Sequence, residues 1–65
     1  MEPYQERVVQ ERLELEAKLS RLEPFIKTAK FDELPEEERL LLVRQCAYMQ
    51  LYSDVLRERI ALFKA

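Results

Sequence analysis

The chain has no glycine, no histidine and no tryptophan, and its single cysteine is Cys46. Each absence removes a class of protein. Without glycine, tight β-hairpins and phosphate-cradling loops lose the residue that makes them possible. Without histidine, and with one thiol, neither a thiolate metal site nor a Cys–His nucleophile pair can be assembled. One cysteine forms no disulfide within the chain, and a lone thiol points to a reducing compartment. No apolar run approaches the ~20 residues of a membrane span, and Met1 to Gln10 lacks the apolar centre of a signal peptide. A basic surplus is missing as well. Eleven Lys and Arg against thirteen Asp and Glu leave a net charge of −2, which disfavours nucleic acid as a partner. We expect a cytoplasmic binding protein, with no cofactor, no metal, no membrane contact and no catalytic activity.

What is present favours long helices. Of the 65 residues, 48% are hydrophobic and 37% charged, enough apolar content to rule out disorder. Met1, Tyr4, Val8, Leu15, Leu19, Leu22, Ile26 and Ala29 fall on one stripe at about 100° per residue. Pro3 suits a first helical turn. Pro24 removes the amide that would reach the Ser20 carbonyl and should kink the helix. The stripe continues in register through Ile26, so the helix is expected over residues 3–29; a break at Glu23 is the alternative. Residues 30–34 read as the connection, with Phe31 and Leu34 closing the end of the core. Pro35 followed by Glu36, Glu37 and Glu38 marks a second helix start, its carboxylates beside the positive dipole end. That helix is expected over residues 35–64.

Helix two carries two apolar rows at seven-residue spacing: Leu42, Met49, Leu56, Phe63, and Leu41, Tyr48, Val55, Leu62. Ile60 and Cys46 widen one side and Leu51 the other, so the apolar arc spans roughly 200°, against the ~100° that one neighbour covers. Helix one has its own surplus in Val9, Leu13 and Ala17. A chain this short has little core, and small scaffolds are held by disulfides, metals or oligomerisation. Only oligomerisation is left. The expected fold is therefore all-α: a single domain, residues 1–65, forming an antiparallel two-helix hairpin that assembles into a dimeric four-helix bundle or a higher even oligomer. The expected oligomer contacts are Val9, Leu13, Leu42, Met49, Leu56 and Phe63.

Between the two rows lies a polar one, Gln45, Tyr52 and Arg59. Antiparallel pairing about the loop sets Arg59 level with Glu6 to Val8 and Tyr52 level with Arg12 to Leu13, with Glu11 in reach. A Glu11–Tyr52–Arg59 network would satisfy these groups. It would serve either as a register device or as a pocket for an anionic ligand. Tyr48 and Tyr52, with Tyr4, could stack on bases beside Arg12, Arg44 or Arg59, though tyrosine at this spacing also serves as core. Lys27 and Lys30 flank Thr28 and precede Phe31 at the hairpin tip. They suit a phosphate, and equally a helix C-terminal dipole. Glu14, Lys18 and Arg21 read as ordinary surface pairing. The ligand-binding candidates are Glu11, Gln45, Tyr48, Tyr52, Arg59, Lys27 and Lys30.

The pattern Arg7-Val8, Glu11, Leu15, Lys18-Leu19, Leu22, Phe25-Ile26, Phe31, Leu34, Glu37-Glu38, Leu41-Leu42, Gln45, Met49, Tyr52, Leu56, Arg59-Ile60 resembles short hairpin proteins of tailed phages, including crAss-like phages. Pro24 departs from that pattern, where a helix former is usual, and puts the straightness of helix one in question. The resemblance implies an accessory protein acting in the cytoplasm of an infected bacterium. By analogy of size and source, it would trap a cyclic nucleotide or ADP-ribose-type immune signal between subunits without cleaving it. A module that binds a host protein through its apolar face is the alternative. A helical DNA-binding regulator is a third, opposed by the net charge.

Overall fold

In the computed structural model, which describes residues 1–63, the chain is all-α. It comprises α1 (Pro3–Phe25), a short α2 (Ala29–Asp32) and α3 (Glu36–Ala61). The expected end of the last helix near Lys64 lies outside the described residues; α3 itself stops at Ala61. The molecule is a rod of 49 × 15 × 14 Å, with α1 packed along α3. The Tyr4 ring meets Phe63 edge-on at 5.8 Å. Arg12 Nε–H donates to Ser53 Oγ at 3.4 Å, and Gln50 Nε2–H donates to Glu23 Oε2 at 2.6 Å. As one helix advances, the other recedes.

Local chemistry sets each helix start. Pro3 occupies the first turn of α1, and the Glu2 backbone N–H is taken up by Gln5 Oε1 at 2.9 Å. At α3, Pro35 stands at the N-cap, and Glu36, Glu37 and Glu38 fill the first turn, where carboxylates stabilise the exposed N–H groups.

Helix one does not run to residue 29. It ends at Phe25, and α2 stands where the sequence suggested a loop. Pro24 is accommodated in the last turn, and Thr28 stops the helix. Its backbone is extended, at φ −98° and ψ 161°. Its hydroxyl donates to the Phe25 carbonyl at 2.7 Å and accepts from the Phe31 N–H at 3.3 Å. One side chain thus closes α1 and caps α2, as short hydroxyl side chains do where they compete with the helical ladder. The cap aims Phe31 inward, where it is buried against Phe25 with rings edge-on at 6.1 Å. Leu34 is half-buried beside them.

The core is small. Val8, Leu15 and Leu19 of α1, Phe31, and Cys46 and Leu56 of α3 are the buried apolar residues. Leu56, at 0% exposure, packs with Val8 and Leu15, and Met49, Ile60 and Phe63 close around them. The row Leu42, Met49, Leu56, Phe63, expected to face other copies, is therefore the seam of the chain with itself. Leu56 has no surface left for a partner. The physical reason lies beside it: Cys46, Ser53 and Ile60 repeat at the same spacing. Small Cys46 and Ser53, both buried, let α1 approach closely on that side.

Candidate functional site

The face of α3 that α1 leaves open carries the chemistry. Leu41, Tyr48, Tyr52, Val55 and Leu62 are all exposed, Tyr48 by 63% and Leu62 by 81%. A shallow groove runs along this face, lined by Leu41, Arg44, Gln45, Tyr48, Met49 and Tyr52. Helix geometry builds it directly. Residues 41, 44, 45, 48, 49 and 52 are three and four apart, so they stack on one side of the helix. The Gln45 side-chain amide lies against Met49 Sδ at 3.8 Å, which leaves its carbonyl oxygen open to the groove. Two further hollows continue the groove around Gln45. One adds Lys18, Arg21, Leu22 and Phe25 from α1. The other runs to Phe25, Leu34, Glu38 and Leu42 at the tip. Phenol rings, an amide and cations thus share one open surface.

Three of the candidates named from the sequence, Gln45, Tyr48 and Tyr52, come together here. The others do not line this groove. Glu11 and Arg59 are exposed, and among the described residues no hydrogen bond or ion pair joins Glu11, Tyr52 and Arg59. The expected network is absent from the single chain because α1 brings Arg12, not Glu11, onto α3. Arg12 reaches Ser53 and pairs with Glu16 at 3.3 Å. Lys27 lies on the opposite side of the rod, in a hollow with Glu23, Ile26, Val43, Cys46, Ala47 and Gln50. Lys30 is exposed on α2 at the tip.

Of the expected oligomer contacts, Leu13 is 61% exposed on the back of α1. Val9, Leu42, Met49 and Phe63 are half-buried, and Leu56 is enclosed. The sequence reading overlooked Lys18 and Arg21 as groove residues. Their signal was their spacing from Phe25, seven and four residues on, which puts all three on one flank of α1. Among the described residues no group of three His, Cys, Asp or Glu side chains is placed to hold a metal, and no helix is long and apolar enough to cross a membrane.

An all-α chain with an uncovered, aromatic and cation-rimmed groove is the class of protein that fold and site define. Comparison with known families makes this specific. The model of the Sequestin family matches residues 2–62, and the chain belongs to that family. A relative from Enterobacteria phage T4, an uncharacterised 7.5 kDa protein of the denB–rIIB intergenic region, is 39% identical over 61 residues, covering 94% of this chain and 95% of that protein. The chain is thus akin to a small phage protein. No solved structure matches it.

Proposed function

We propose that this protein is a phage accessory protein that binds a nucleotide immune signal in the α3 groove, at a boundary between copies, and holds it without cleaving it. The groove itself carries the reading. Tyr48 and Tyr52 offer faces for bases. Arg44, with Lys18 and Arg21 at the flank, offers charge for phosphates. Gln45 offers an amide for base edges. The family name agrees with sequestration, and the T4 relative agrees with a phage source. Holding without cleavage is the part of the proposal that the groove's side chains, Leu41, Arg44, Gln45, Tyr48, Met49 and Tyr52, support, since none of them pairs a nucleophile with a base. The architecture in this reading is an antiparallel helical hairpin that self-associates in the cytoplasm of the infected cell. An open groove on one rod encloses too little of a ligand for tight binding; a second copy would close it.

Calorimetric titration with cyclic dinucleotides, cyclic trinucleotides and cyclic ADP-ribose isomers tests the proposal. At least one should bind, and denaturing the complex should return it intact. Tyr52→Ala and Arg44→Ala should each weaken it at least about tenfold, the worth of one charge-assisted or stacking contact. If none of these nucleotides binds, or if the bound one is recovered hydrolysed, the reading fails. A second reading, a module that binds a host protein, is favoured by the apolar residues Leu40, Val43 and Leu51, exposed away from the groove. Capture of a host protein by chain that binds no nucleotide would decide for it.

A further inference from the structure

Once α1 has covered the seam of α3, a second stripe remains open: Glu37, Leu41, Arg44, Tyr48, Tyr52, Val55 and Arg59, all exposed. Their steps are four, three, four, four, three and four. The series reads the same from either end, with Tyr48 at its centre. Its mean is close to the ~3.6 residues of one helical turn, which keeps the whole series on one face of α3.

The chemistry is matched in the same way. A two-fold axis across α3 at Tyr48 sets Tyr48 against Tyr48, Arg44 against Tyr52, Leu41 against Val55 and Glu37 against Arg59. These are an aromatic pair, a cation on an aromatic face, an apolar pair and an ion pair. Every contact except the first occurs twice, as an isologous interface requires. Two other arrangements set like charges together. Moving the axis to between Leu51 and Tyr52 sets Arg44 against Arg59, and parallel pairing sets each charge against itself. Among the described residues, none of Glu37, Arg44 and Arg59 has an ion-pair partner in its own chain.

We propose that a second copy of this chain docks on the stripe, α3 antiparallel to α3, about a two-fold axis at Tyr48. The proposal rests on the self-association named above and does not use the nucleotide. It also says which boundary the groove lies on. Arg44, Tyr48 and Tyr52 belong to both groove and stripe, so each groove is completed by Arg44 and Tyr52 of the second copy.

The test needs no ligand. In a Cys46→Ser background, Tyr48→Cys should form a disulfide-linked dimer on mild oxidation, because only a residue on the axis meets its own copy. Glu58→Cys, exposed but off the stripe, should stay monomeric on a non-reducing gel. In sedimentation, Glu37→Arg and Arg59→Glu should each weaken the dimer about tenfold, since each converts two attractions into two repulsions. Combined in one chain, they should restore it to within about threefold. A monomeric unmodified chain, a combined variant weaker than either single one, or cross-linking at Glu58→Cys but not at Tyr48→Cys would overturn the proposal. Nucleotide sequestration could fail in calorimetry with every one of these results intact, so the two failures are distinguishable.

Discussion

Leu56→Ala tests the division of α3 into two faces. Leu56 is fully enclosed by Val8, Leu15 and their half-buried neighbours. Removing its isobutyl end forfeits transfer energy and leaves a void, a loss of ~2–5 kcal/mol in comparable cores. For a domain this small the urea dependence is ~1 kcal/mol per M, so the unfolding midpoint should drop by ~2 M or more. Leu62→Ala is the control. That residue is 81% exposed at the C-cap of the same helix, so within one chain its loss should stay near ~0.5 kcal/mol. Circular dichroism in urea at several protein concentrations separates the two effects. The Leu56 loss should persist at every concentration, because it breaks the contact of α1 with α3. A midpoint drop below ~0.5 M for Leu56→Ala would mean that the seam is not where the structure places it, and the assignment of faces would fall with it.

Four further substitutions, at three positions, probe other joints. Thr28→Val keeps the shape but removes both hydroxyl bonds at the tip; it should cost ~0.5–2 kcal/mol, read as a fall of several degrees in a thermal melt. Ser53→Ala should change the urea midpoint by less than ~1 M, because Arg12 keeps Glu16 when the long bond to Ser53 goes. Ser53→Leu should overpack the seam and cost ~1–3 kcal/mol in the same assay. Arg39 Nε is buried without a hydrogen-bond partner among the described residues, so Arg39→Met should raise the melting temperature or leave it unchanged.

The helices were legible because their period is strong: Leu15, Leu19, Leu22 and Ile26 form an unbroken stripe, and Pro35 with three glutamates announces the second start. What the period could not decide was which row of α3 faces α1. Leu41–Tyr48–Val55–Leu62 and Leu42–Met49–Leu56–Phe63 are equally apolar at equal spacing. The choice is made by the neighbours, Cys46 and Ser53, whose small side chains permit close approach. A small residue buried between helices is as informative as a large one. The break at residues 26–28 was masked by Pro24, the louder signal, although the hydroxyl of Thr28 does the work. Within the groove, Gln45, Tyr48 and Tyr52 could be grouped because they lie on one helix. Lys18 and Arg21 reach it from α1; their spacing from Phe25 groups them on one flank of that helix, but only the packing of α1 on α3 brings that flank beside Gln45.

The two proposals, pairing about Tyr48 and a nucleotide held in the adjoining groove, are coupled through Arg44, Tyr48 and Tyr52. A ligand that contacts both copies binds the dimer more tightly than the single chain. By linkage it must tighten the dimer by the same factor. At one hundred times its dissociation constant, a dimer-specific ligand would stabilise the assembly by ~2.7 kcal/mol for each groove it fills, roughly a hundredfold per groove in the dimer dissociation constant. Sedimentation over a dilution series, with and without the tightest nucleotide from calorimetry, measures that factor. The shift should vanish in Tyr52→Ala, measured against that variant's own ligand-free dimer constant, because the change removes a stacking face and also the two Arg44–Tyr52 contacts while keeping the Glu37–Arg59 and Leu41–Val55 pairs. If nucleotide binds tightly yet leaves the dimer constant unmoved, its site lies within one chain. The hollow of Lys18, Arg21 and Gln45 between α1 and α3 would then be the place to look for it.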